Sequence, residues 1–186
     1  SQNNGIVTAA MISSAGISRG SLKYLADTGR LDQVSRGVYT LPEVWEDEFV
    51  SIQERYKRGV FALDTALFLH DLTDRTPHKF HMAFPYGYNT SSPKAAGILC
   101  SCKKEPYYSL GIALVDTPAG NTVRAYNAEK TLCEILKPIS HTDIQIITDA
   151  FKRYAGRKDK NIPLLSEYAH QLRVEKRLRP YLEVLL

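Results

Sequence analysis

Apolar residues recur at helical spacing in several stretches of the chain, short extended runs separate them, and Gly or Pro marks the joints. At the N-terminus, Gly5-Ile6-Val7 reads as an extended lead-in, and Thr8 is placed to cap a helix running to about Ala15. Gly16 fits the residue just past that helix, where a left-handed backbone costs glycine nothing, and Ile17 is expected to plug the turn. Ser18 caps a second helix through about Thr28, closed by Gly29. Two short helices joined by a tight Gly-containing turn form the helix-turn-helix pattern. Leu31–Val34 and Val38–Leu41 then flank Ser35-Arg36-Gly37, a hairpin with Gly at its turn. The expectation for residues 1–42 is a winged helix-turn-helix, with Leu41-Pro42-Glu43 as the clearest boundary in the chain.

At 100° per residue, Leu22, Leu25 and Ala26 gather on one face of the second helix, which must be its core face. Gly20, Lys23, Tyr24 and Asp27 point the other way, and Ser18, Arg19 and Ser21 occupy the first turn. In helix-turn-helix proteins this first turn and outer face enter the major groove. Arg19 suits guanine O6/N7, Ser21, Lys23 and Tyr24 suit phosphates or base edges, and Arg36 at the wing tip suits the backbone or a minor groove. The competing reading is a small lobe whose helices simply have polar faces.

Residues 43–186 read as a mixed α+β domain with a small sheet and several helices. Helices are expected at about Val44–Tyr56, Val60–His70, Ala128–Leu136, Thr142–Tyr154, Pro163–Leu172 and Val174–Leu186. Strands are expected at Phe80–Phe84, Ile98–Ser101, Tyr108–Val115 and Val123–Tyr126, the last two pairing across Asp116–Asn121. Ile144, Ile147, Phe151 and Tyr154 share one helical face, as do Val174, Leu178, Tyr181, Leu182 and Leu185. Pro180 lacks an N–H and predicts a kink or break near Arg179.

Composition narrows the class. The chain has 186 residues, 44% of them hydrophobic and 24% charged, which is a globular balance. No apolar run reaches the ~18–20 residues of a membrane span, and no charged-then-apolar leader is present. Cys100, Cys102 and Cys133 are too few for a disulfide scaffold and fit a reducing cytoplasm. The net charge of +4 is unevenly spread: residues 1–42 hold +2, 43–59 hold −2, 60–149 hold −1, and 150–186 hold +5. Lys152, Arg153, Arg157, Lys158, Lys160, Arg173, Lys176 and Arg177 therefore form either a solvated surface or a second anion-facing surface, along DNA or against an acidic partner.

Catalytic and metal patterns are weak. His78-x-x-His81 with Cys100-x-Cys102 supplies the right count for zinc, but the two histidines straddle a strand start and diverge. Cys133 sits beside Leu132 and Leu136 and reads as core. A restriction-type nuclease would need Asp116, Glu129 and Lys130 to converge, yet Glu129 and Lys130 are adjacent at a helix start. A nucleotidyltransferase would follow Gly20-Ser21 with a carboxylate pair, and only Asp27 is there. No Walker-type loop, nucleophile elbow or H-E-x-x-H occurs. The residues make no case for an enzyme, a metal or a cofactor.

The segments Gly5–Thr8, Gly16–Arg19 and Leu31–Tyr39 together resemble the N-terminal domain of AbiEi antitoxins of abortive-infection toxin–antitoxin systems. Leu110–Ile112, Thr117–Asn121, Arg124-x-Tyr126, Glu129–Glu134, Asp143–Gln145, Lys158–Asn161 and Arg173–Arg179 are similar to the C-terminal domain of the same antitoxins. The resemblance implies a bacterial type IV antitoxin, active in phage resistance, that binds inverted repeats in double-stranded promoter DNA and represses its own operon. It also implies a functional partner, a nucleotidyltransferase-like toxin opposed without a stable complex, and antitoxin activity in residues 43–186. It further implies a helix ahead of Gly5, where only four residues stand. Two rival readings remain at this level: a winged-helix regulator without a toxin partner, sensing a ligand in its C-terminal domain, and a nuclease targeted by a winged helix.

Overall fold

A computed structural model describes residues 6–40 and 47–185, with only the backbone for Ile6, Arg19, Ser35, Val184 and Leu185. The expected Leu41–Glu43 boundary, the start of the helix predicted from Val44, and Leu186 lie outside the described residues. The fold is α+β, with two small sheets and nine α-helices among the described residues. Contacts divide the chain into two compact units, Ser1–Arg58 with Asp116–Val123, and Gly59–Val115 with Arg124–Leu186.

The first unit contains β1 (Ile6–Thr8), α1 (Ala9–Ser14), α2 (Arg19–Asp27), β2 (Asp32–Ser35), β3 (Val38–Thr40) and α3 (Glu48–Arg55). Its sheet is antiparallel in the order β1-β3-β2, with a register shift between Gln33 and Ser35. Ile12, Leu22 and Leu31 form the core, with Val7, Leu25 and Tyr39 packed on it. Asp47 caps α3 by accepting from the Phe49 and Val50 amides. The same buried carboxylate accepts from Thr117 Oγ1 and from Asn121 Nδ2 at 2.9 Å, which anchors the 116–123 turn.

The second unit contains β4 (Val60–Phe61), α4 (Leu63–Leu69), β5 (His81–Pro85), α5 (Ser91–Ala95) and β6 (Leu99–Lys103). After β7 (Ile112–Asp116) and β8 (Thr122–Tyr126) come α6 (Ala128–Ile135), a 3-10 turn (Pro138–Ser140), α7 (Ile144–Ala155), α8 (Ile162–Gln171) and α9 (Glu175–Leu185). Strand order is β6-β5-β4-β8-β7, with β4 antiparallel to β5 and parallel to β8, and β5 parallel to β6. Leu67, Leu132, Cys133, Phe151, Tyr154 and Leu165 belong to one helical core in which α6 is central.

Several expectations are corrected. Val60–Phe61, predicted as the start of a helix, is a buried strand between β5 and β8. A short apolar run does not by itself distinguish a buried strand from a helix. Tyr108–Gly111, predicted as strand, is a turn held by Tyr108 N–H to Lys104 O and Leu110 N–H to Pro106 O. Helix α5 had no apolar periodicity to announce it. Ile144 and Ile17 are exposed rather than packed, at 64% and 51%. Helix α9 runs unbroken through Pro180. That proline removes one donor to the carbonyl of Lys176, an exposed residue in the helix's first turn where water can serve instead.

Candidate nucleic-acid interface

The joint between α1 and α2 is specified residue by residue. Thr8 Oγ1 accepts from Met11 N–H at 3.2 Å and starts α1. Gly16 adopts φ +73°, its N–H bonds Ser13 O, and Ile17 N–H reaches back to Ile12 O at 3.0 Å. These are the two reversed bonds of a Schellman end, which requires the left-handed residue that Gly supplies. Ser18 Oγ then accepts from Gly20 N–H at 3.2 Å and starts α2. The same pair of bonds closes α2, from Gly29 to Ala26 and from Arg30 to Leu25.

Helix α2 buries Leu22 at 1% exposure and turns Lys23 and Tyr24 outward, Tyr24 at 66%. Ser18 is exposed but spends its hydroxyl on the cap, Ser21 is half-buried one turn position later, and Arg19 supplies the first helical backbone residue. Arg36 is exposed at the tip of the β2–β3 hairpin. The hairpin is tied to α1 by Ala9 N–H donating to Gly37 O at 2.8 Å.

In the second unit the basic residues divide into two groups. Lys152, Lys158, Arg173 and Lys176 are exposed, and their side chains make no hydrogen bond or ion pair with another described residue. The others hold the fold. Arg157 donates to His70 O at 2.8 Å and makes two bonds to Asp159, whose carboxyl it holds down at about 2. Lys160 donates to Ala155 O, Arg177 to Leu136 O, and Arg153 pairs with Asp74 at 3.3 Å.

Helix α6 is buried along its whole length, including Glu129, Lys130 and Glu134. Buried charges are costly unless paired or hydrogen-bonded, and each of these side chains has at least one such partner. Lys130, 0% exposed, donates from Nζ to Tyr107 O at 2.7 Å and Leu110 O at 3.0 Å. It lies 3.7 Å from Glu134 Oε1 and 4.1 Å from the centre of the Tyr126 ring. Burial, opposed in part by Glu134, lowers its pKa to about 8. Glu129 Oε1 accepts from Tyr154 OH at 2.8 Å, and Glu134 Oε1 from Lys103 Nζ at 2.6 Å. The Tyr126 hydroxyl, raised by burial and by Glu134, donates to Tyr108 O. Beyond the i,i+4 spacing of Lys130 and Glu134, sequence spacing carried no sign of this cluster, because its other partners come from strands, loops and a helix distant along the chain.

The zinc candidates are dispersed. His78 lines one cleft, His81 and Cys100 a second, and Cys102 a third. Among the described residues no group of three or more His, Cys, Asp or Glu is placed to hold a metal ion. Cys133 is buried in the helical core, where burial pushes its thiol up to about 12. No helix among the described residues is long and apolar enough to cross a membrane.

Residues 1–42 match the model of a family described as "Transcriptional regulator, AbiEi antitoxin". No curated protein matches the chain. Among solved structures, the crystal structure of the RV2827C protein from Mycobacterium tuberculosis aligns at 16% identity and a TM-score of 0.48, covering 97% of this chain and 76% of that one.

Proposed function

We propose that the chain is a DNA-binding antitoxin that represses its own promoter through a winged helix-turn-helix in residues 1–42. The observation that carries this reading is the Gly16 turn between two capped helices, in a segment that matches a family of AbiEi antitoxin regulators. Helix α2 would enter the major groove, with Arg19, Ser21, Lys23 and Tyr24 toward base edges and phosphates and Ser18 fixing the first turn. Arg36 would meet the sugar-phosphate backbone or a minor groove. Lysine and arginine contacts would supply salt-dependent affinity, and base-edge contacts the choice of sequence. Residues 43–186 would carry the antitoxin activity against a nucleotidyltransferase-like toxin, in the cytoplasm, with no stable complex and no catalysis of their own. The rival nuclease is disfavoured because Glu129 and Lys130 are spent on packing bonds.

A salt-dependent shift assay of the full chain on its upstream promoter and on random DNA tests the reading. Promoter-selective binding is expected, and Arg19→Ala should weaken it by roughly 1–3 kcal/mol at the cognate repeat with little change on random DNA. Equal loss on both DNAs would remove α2 as the recognition helix.

A further inference from the structure

Beside the buried cluster of the second unit lies a cleft of about 390 Å³, within the ~300–1,000 Å³ of small-molecule sites. Lys103, Lys104, Lys137, Glu134, Tyr107 and Ile139 are among the residues that line it. Its charge is unbalanced: three lysines and a single carboxylate line it, and Lys130, 3.7 Å from that carboxylate, adds a fourth positive charge nearby. Lys103 is taken by Glu134 Oε1, and Lys104 lies 4.9 Å from the centre of the Tyr86 ring. Lys137 is half-buried; its backbone N–H donates to Glu134 O and its carbonyl accepts from Ser140, but its ammonium makes no hydrogen bond or ion pair with another described residue. Burial, opposed in part by the Glu134 carboxylate and reinforced by the neighbouring Lys103, holds its ammonium below the ordinary lysine range. An anion in the cleft would offset both effects.

The cleft asks for more than an anion. Glu134 is 2% exposed and its Oε2 is buried with no hydrogen-bond partner. An unpaired buried acceptor costs free energy until a donor reaches it, and a bare phosphate offers it only more negative charge. A ligand carrying an anionic group and, a few ångströms away, a hydroxyl or amine would suit both the lysines and Glu134. Tyr107 and Ile139, both exposed, add apolar surface suited to a flat ring.

We propose that this cleft binds a nucleoside phosphate, with Lys103, Lys104 and Lys137 on the phosphate and Glu134 Oε2 accepting from the sugar or base. The site is independent of the DNA-binding reading, since all its residues belong to the second unit.

Calorimetric titration of the full chain with ADP, pyrophosphate and adenosine tests the proposal, with circular dichroism checking the fold of each variant. ADP is expected to bind, with pyrophosphate and adenosine each at least tenfold weaker. Losing one charge-assisted contact should weaken ADP about tenfold or more in Lys137→Ala and in Lys104→Ala. Lys57→Ala, on the exposed surface of the first unit, should bind as the parent does. The proposal is overturned if the folded chain does not bind ADP, if pyrophosphate binds as tightly, or if the folded Lys137→Ala and Lys104→Ala variants both bind ADP unchanged.

Discussion

Replacing Lys130 by Met tests the buried cluster, and the informative quantity is a slope with pH rather than a single stability. Lys130 moves from about 10.4 in the unfolded chain to about 8 in the fold. Between these values the unfolded chain binds more protons than the folded one, so this lysine makes stability rise with pH. The full difference is about 3.3 kcal/mol, of which about 2.5 kcal/mol appears between pH 7 and pH 10. At pH 7, Lys130→Met relieves the cost of a desolvated ammonium but strands the carbonyls of Tyr107 and Leu110, at about 1–3 kcal/mol each. Those terms nearly cancel, and stability at neutral pH decides nothing. Cys133 and Tyr126, both raised by burial, make stability fall at high pH, but they titrate in both proteins and drop out of the difference. Urea unfolding of the two proteins at pH 7 and pH 10 should show the parent gaining about 2.5 kcal/mol on the variant. A gap that stays constant across that range would mean Lys130 is not held as a desolvated ammonium.

Two further outcomes follow from particular residues. Gly16 and Gly111 both adopt positive φ, but a Cβ at Gly16 meets nothing within 4 Å, whereas at Gly111 it would lie 2.9 Å from Lys130 Cβ. Thermal unfolding should show Gly16→Ala losing about 1 kcal/mol from backbone strain alone, and Gly111→Ala losing clearly more; equal losses would refute the close approach. Replacing Lys152 and Lys158 together by Ala should flatten the dependence of log K on log salt by about two units if both touch phosphates, since each contact contributes roughly 0.9. An unchanged slope on promoter and random DNA would make that surface a solvated one.

How much of this was legible in the sequence depends on where each residue's partner lies. The ends of α1 and α2 are written in local chemistry, with Thr8 and Ser18 bonding amides two or three residues away and Gly16 and Gly29 taking the left-handed position. Such signals survive without knowledge of the fold. Helix α6 is the opposite case. Leu132 and Cys133 announced a core face, but the burial of Glu129, Lys130 and Glu134 depends on Tyr154, Tyr107 and Lys103, more than twenty residues distant. Val60–Phe61 failed for a related reason, since a central strand bonded on both sides is apolar throughout and lacks the alternation of an edge strand. Arg157 mixes the two, its bond to Asp159 local and its bond to His70 O set by the fold. A count of basic residues could not separate it from Lys158.

The rival functions separate on what the second unit does with its charges. A nuclease needs a carboxylate and a lysine free to meet a phosphodiester and a metal. Glu129 is hydrogen-bonded to Tyr154, and both donor bonds of Lys130 end on backbone carbonyls in a helix closed to solvent. Freeing them would dismantle the packing that positions them, so this pair serves the fold. A ligand-sensing regulator needs instead a concave site with unfulfilled polar groups. The cleft at Lys137 and Glu134 has both, an ammonium and a carboxylate oxygen left without partners inside an otherwise satisfied cluster. A half-buried ammonium and a buried oxygen without a donor both cost the fold that keeps them, and a phosphate bearing a nearby hydroxyl would relieve both groups at once. The proposed sensing function would therefore stand beside the proposed antitoxin role rather than against it, the first unit reading DNA and the second a nucleoside phosphate.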